Sequence, residues 1–193
     1  MSQRPNVLFI MADQMRRDAM GCYGNPIVQT PNLDALSRRG VRFEHMYAAY
    51  PVCAPNRASI ITGQHPHSNG VTGLSHRHKR LMLSPFKTTL PEVLDECGYH
   101  TAIEGKWHVA PYLPTGWYGY SERLSGILPK DFWIRSPDQA LAFIEENRES
   151  AFYLELAPRA LEALASAPAA TRLTDADLAA SLDQKSNQVD AAK

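Results

Sequence analysis

Neither sign of charge prevails in this chain: 20 lysine and arginine side chains face 20 aspartates and glutamates. Such a balance raises no broad field for nucleic acid or an anionic bilayer, so neither is an expected partner. Long apolar runs are missing too. No segment approaches the roughly 20 residues that span a membrane, and no apolar stretch precedes the first strand as a secretory signal would. A cytoplasmic protein is therefore the expectation. Cysteine is scarce: Cys22, Cys53 and Cys97 form an odd, scattered set, which argues against a disulfide framework. After Tyr153 the chain has no aromatic residue, glycine, histidine or cysteine. Residues 158–193 are accordingly expected to form an Ala-rich helical or disordered tail, behind a domain over residues 1–157.

Within that domain, patterns of strand and helix alternate. Asn6 to Ala12 is a continuous apolar run of strand length, read as a central strand buried on both faces. Thr30-Pro31 offers an N-cap followed by proline at the first helical position, and Gly40 should end that helix. Val41 to Tyr47 alternates apolar and polar residues, as a half-buried strand does. Thr89-Leu90-Pro91-Glu92 is a capping-box pattern, and Gly98 closes the helix it opens. A helix capped by Ser136 and running to about Asn147, with Ala140, Leu141 and Ile144 on one face, precedes a strand over Phe152–Ala157. The order is that of an α/β fold.

Three segments carry chemistry. Cys53-Ala54-Pro55-Asn56-Arg57 sets a sulfur nucleophile and a cation in one compact turn, before a short helix closed by Gly63. The positive end of a helix dipole suits a tetrahedral oxyanion. A lone cysteine in such a place is more often a small buried hydrophobe. Asp13 and Gln14 follow the first strand, and ligands of open α/β sheets gather beyond strand carboxyl ends. In Gly98–His108, Lys106 and His108 are two residues apart, so an extended segment would point both to one face. His65, His67, His76 and His78 crowd a loop after the nucleophile helix. They are read as lining a substrate mouth or facing water, since nothing completes a structural zinc site.

Pro51 to Gly63 and Gly98 to His108 resemble the two signatures of the sulfatases, and the strand ending in Asp13-Gln14 resembles that family's metal-binding start. The departures are Asn56, where a small residue is usual, Gln14 in place of a second acid, Glu104, and Pro158-Arg159 where a Pro-His pair is usual. The resemblance implies an alkaline phosphatase-like three-layer sandwich with a mostly parallel central sheet. It is specific over residues 6–108, faint to about 157 and then lost. Nothing in residues 110–193 resembles the strand that supplies the family's remaining metal ligands, so the fold is expected to be truncated.

The same resemblance implies a mechanism. Cys53, oxidised to formylglycine by a formylglycine-generating enzyme, would attack a small sulfated substrate. Asp13, Gln14 and residue 53 itself would bind a divalent cation, calcium first, with Mg2+ or Mn2+ as alternatives. Arg57 would hold the hydrated aldehyde. Lys106 and His108 would bind the sulfate, with His108 protonating the departing alcohol. Two other readings stay open: a phosphonate monoester or phosphodiester hydrolase of the same superfamily, and a non-catalytic fragment. Lost partner strands would expose a sheet edge and promote self-association.

Overall fold

The computed structural model describes residues 4–74, 81–110, 115–124 and 138–157. These fall into two compact units, one of residues 4–14 and 47–157, the other of residues 15–46.

The larger unit is built on a parallel sheet of four strands: β1 (Val7–Ile10), β2 (His100–Gly105), β3 (Glu122–Arg123) and β4 (Phe152–Ala157). Their spatial order is β1-β4-β2-β3, with Val7 opposite Tyr153 and Thr101 also opposite Tyr153. Every residue of β4 is buried, as a strand with a neighbour on each side and helices over both faces requires. On one face Ile103 and Tyr153 pack with Ala54, Ala58 and Ile61 of the helix that carries the cysteine motif. On the other, Ala102, Phe152, Leu154 and Leu156 pack with Ala140 and Phe143 of the helix Asp138–Glu146. The result is helix, sheet, helix. The three-layer, mostly parallel α/β expectation holds.

Two expectations fail, each for a physical reason. Among the described residues the first strand lies at an edge of the sheet, not at its centre. Among the described residues it pairs only with β4, and its burial alternates, with Leu8 37% and Ile10 46% exposed. A run of apolar residues records what a strand tolerates, not what covers it. The segment Val41–Tyr47 forms no strand. Val41, Phe43, Met46 and Tyr47 are all exposed, and the Phe43 carbonyl accepts a bond from the Tyr23 hydroxyl instead of a ladder bond.

The smaller unit has two 3-10 turns, Arg17–Ala19 and Gly21–Tyr23, and helix α1 (Pro31–Arg39). The helix starts and stops at the expected residues, Thr30 and Gly40. Yet the Thr30 hydroxyl does not cap it. It donates to Asp34 Oδ1 at 2.9 Å and accepts from the Gly21 amide at 2.9 Å. A Cβ at Gly21 would lie 2.5 Å from the Asp34 carboxylate, so only glycine lets this bracket close.

Helix α2 spans Cys53–Thr62, α3 Pro66–Asn69, α4 Leu90–Glu96 and α5 Asp138–Glu146. The capping box at Thr89 and Glu92 is present. Ser136, Pro158-Arg159, His76, His78 and the tail from residue 158 lie outside the described residues.

Candidate active site

Cys53 is the first residue of α2, and Pro55 sits in the first turn, where its missing N–H costs no helical bond. The cysteine motif is therefore the opening of the helix itself, not a turn before it. Gly63 ends the helix in left-handed backbone at φ 64°, which only glycine adopts freely. Residues four apart share a helix face, so Arg57 stands one turn along from Cys53. The Arg57 side chain runs inward and is 3% exposed. Its guanidinium donates to the Lys106 carbonyl at 2.7 Å.

Burial pulls the Arg57 pKa below its ordinary value, while Glu155, Asp13 and Cys53 oppose that shift in decreasing order. The leading counter-charge, Glu155, lies in the middle of β4 and is buried. It accepts a bond from the Tyr120 hydroxyl at 2.5 Å and a longer one from Tyr153 at 3.5 Å. Burial raises the Glu155 pKa, against the hydroxyls and Arg57, which favour its charged form. It also raises those of both tyrosines, with the Glu155 charge adding to the effect. These two phenols therefore remain hydrogen-bond donors at neutral pH.

Asp13 and Lys106 close the other side. The backbone amide of Met11 donates to the Leu156 carbonyl at 2.9 Å, and that of Lys106 to the Ala157 carbonyl at 3.1 Å. The chain leaving β1 and the chain leaving β2 are thus pinned to either side of β4. That brings Asp13 within reach of Lys106, whose ammonium donates to Asp13 Oδ2 at 2.6 Å. The two side chains are each 9% exposed. Of the residues singled out in the sequence, the fold joins Asp13 to Lys106 and Lys106 to Arg57, with Cys53 one helical turn from Arg57.

Gln14 and His108 enter differently. Both adopt left-handed backbone, at φ 56° and 61°, uncommon for residues with a side chain. Strand β2 ends at Gly105, so Lys106 and His108 do not share a face of an extended segment as their spacing predicts. Glu104, an open question in the sequence, is fully buried in β2. His65, just before α3, and His67 within it are exposed, with stacked rings 5.8 Å apart. Among the described residues no three His, Cys, Asp or Glu side chains come together as a metal cluster. The donor chemistry still fits a hard cation in kind. Asp13 presents a carboxylate, and an ammonium already stands against it. Six to eight oxygens are what calcium takes (roughly), so Asp13 and Gln14 would need further ligands.

Sequence reasoning missed Glu155 and Tyr120. The available signal was one acid inside the run Phe152–Ala157, where a charge survives burial only if it is bonded.

Comparison with known proteins gives a consistent result. A family model described as Sulfatase matches residues 5–168. The N-acetylglucosamine-6-O-sulfatase of Bacteroides thetaiotaomicron is 39% identical over 108 residues, covering 56% of this chain and 18% of that protein. A solved structure in complex with its substrate D-glucosamine-2-N,6-O-disulfate superposes with a TM-score of 0.67 at 28% identity, over 80% of this chain and 34% of that one. The phosphonate monoester hydrolase of Agrobacterium radiobacter shares the fold, with a TM-score of 0.59 at 21% identity, over 81% of this chain and 41% of that one.

Proposed function

This chain belongs to the sulfatase family over residues 5–168, and from that premise we propose that it carries the nucleophile side of a site that hydrolyses sulfate esters. The observation that supports this most is the linkage of Cys53-x-Pro-x-Arg57 to Lys106 and Asp13 through a buried guanidinium and a buried ion pair. The chain spans only 18% of the curated relative's length, and in this proposal the chain, alone or as an oligomer, completes the site.

In this reading Cys53, oxidised by a formylglycine-generating enzyme, supplies the attacking hydroxyl of an aldehyde hydrate. Asp13 and Gln14 hold a hard divalent cation, calcium before Mg2+ or Mn2+, whose charge polarises the sulfuryl oxygens when bound. Arg57, anchored on the Lys106 carbonyl, holds residue 53 in place and offsets negative charge there. Lys106 binds a sulfate oxygen as a point charge. His108 delivers a proton to the departing alcohol. The substrate is a small sulfated compound, as relatives named for sulfated sugars have.

The test is hydrolysis of an aryl sulfate by the chain co-produced with a formylglycine-generating enzyme and supplied with calcium. Turnover is expected, and Cys53→Ala should abolish it. No turnover from chain whose residue 53 is shown by mass to be aldehyde would overturn the reading for this chain alone. The fold shared with a phosphonate monoester hydrolase supports a second reading, so an aryl phosphodiester belongs in the same assay. A higher rate on it would transfer the assignment to that class.

A further inference from the structure

The ion pair between Asp13 and Lys106 has a consequence for how the site takes up a cation. The Asp13 carboxylate is nine-tenths buried, and a charge held so far from water needs a partner. Arg57 is the other nearby cation, but its leading counter-charge is Glu155. The Lys106 ammonium, at 2.6 Å, is what neutralises Asp13.

The lysine is also built to let go. Its backbone is fixed at both ends, by its amide on the Ala157 carbonyl and by its carbonyl under the Arg57 guanidinium. Only the flexible four-carbon stem need move for the ammonium to change partners.

We propose that Lys106 and a divalent cation compete for Asp13, so that arrival of the cation drives the ammonium off the carboxylate and frees it to meet an anion. The inference rests on the reading of Asp13 as a cation ligand. Two positive groups cannot share one buried carboxylate oxygen without strong repulsion. An anion that captures the released ammonium removes the competitor. Because linkage is reciprocal, cation and anion should then each tighten the binding of the other. The lysine thus stands as an internal placeholder for the cation.

Calorimetric titration with calcium chloride in sulfate-free buffer tests this directly. Lys106→Met should bind calcium at least tenfold more tightly than the unaltered chain. Lys106→Arg, which keeps a cation on Asp13, should bind as weakly as the unaltered chain, and Asp13→Asn should not bind. Equal affinity with and without the Lys106 charge, or no heat from any variant, would overturn the competition. A second measurement needs no substitution. Brief acetylation with acetic anhydride, read by peptide mass, should label Lys106 severalfold more with calcium present while other lysines stay unchanged. Labelling of Lys106 that ignores calcium would count against displacement. Aryl sulfate hydrolysis separates the two readings: turnover with identical isotherms sinks the competition alone, and a displaced Lys106 without turnover sinks the enzymatic reading alone.

Discussion

Residues 15–46 and the sheet unit reach order by opposite routes. The sheet unit buries Ile103, Leu154, Tyr118 and Tyr153 almost completely and sets its polar groups within that packing. The smaller unit buries little: α1 has no buried residue, and Ile27, Val28, Leu36, Val41, Phe43 and Met46 are all exposed. Its order comes from side chains that bracket the backbone. Asp34 Oδ1 accepts from the Cys22 amide at 2.7 Å. Asn25 Oδ1 accepts from the amides of Ile27 and Val28. The Arg17 and Arg42 guanidinium groups lie 4.8 and 5.2 Å from the centre of the Tyr23 ring. Packing spreads stability over many contacts, whereas bracketing concentrates it in a few bonds. The two units should therefore fail differently.

The largest effect belongs to the packed unit. Leu154→Ala opens a cavity between β4 and α5 and should cost about 2–5 kcal/mol, read from the shift of a thermal or denaturant transition. In the bracketed unit, Asp34→Ala strips bonds from Cys22 and Thr30 at a cost of about 1–3 kcal/mol. Hydrogen exchange should place that loss at residues 21–34 while the sheet amides keep their protection. A third difference is electrical. Glu155 has its pKa raised in the folded state, so the folded chain holds a proton that the unfolded chain has already released. Stability should fall as pH rises from the ordinary glutamate value of 4.5 through the raised one. Glu155→Gln, which cannot titrate, should flatten that slope in melts taken from pH 4 upward. The smallest effect is expected at Val41, which is 82% exposed. Val41→Ser should change stability by less than about 0.5 kcal/mol. A larger loss would mean that this residue is covered in solution.

Much of the sheet unit was legible because its elements carry local signals. The capping box at Thr89, the glycine after α2 and the apolar run of β4 depend on neighbours in sequence. The edge position of β1 was not legible, since Leu8 and Ile10 look alike whether or not something covers them. Nor was the missing strand over Val41–Tyr47, because alternation describes a surface that still needs a partner. In the site, the residue types at 13, 53, 57 and 106 could be picked from motifs. The pairing of Asp13 with Lys106 could not, because 93 residues separate them and only the order of strands brings them together. Glu155 was hidden by its setting, a charge among apolar neighbours whose bonds come from Tyr120 and the same strand.

The pairing of β1 with β4 also sets a clock. Val7 lies opposite Tyr153, so β1 must wait for β4 before the two can pair. At about 5–20 residues per second, the ribosome needs roughly 7–30 s to supply the intervening chain. Late in that interval the segment around Cys53 has left the tunnel, while Arg57, 3% exposed once folded, has yet to be enclosed. Under the proposed reading, an enzyme that oxidises Cys53 would thus meet it in an open peptide before β1 and β4 pair. On that reading, slowing synthesis between residues 90 and 150 should lengthen this period and raise the fraction of chains oxidised.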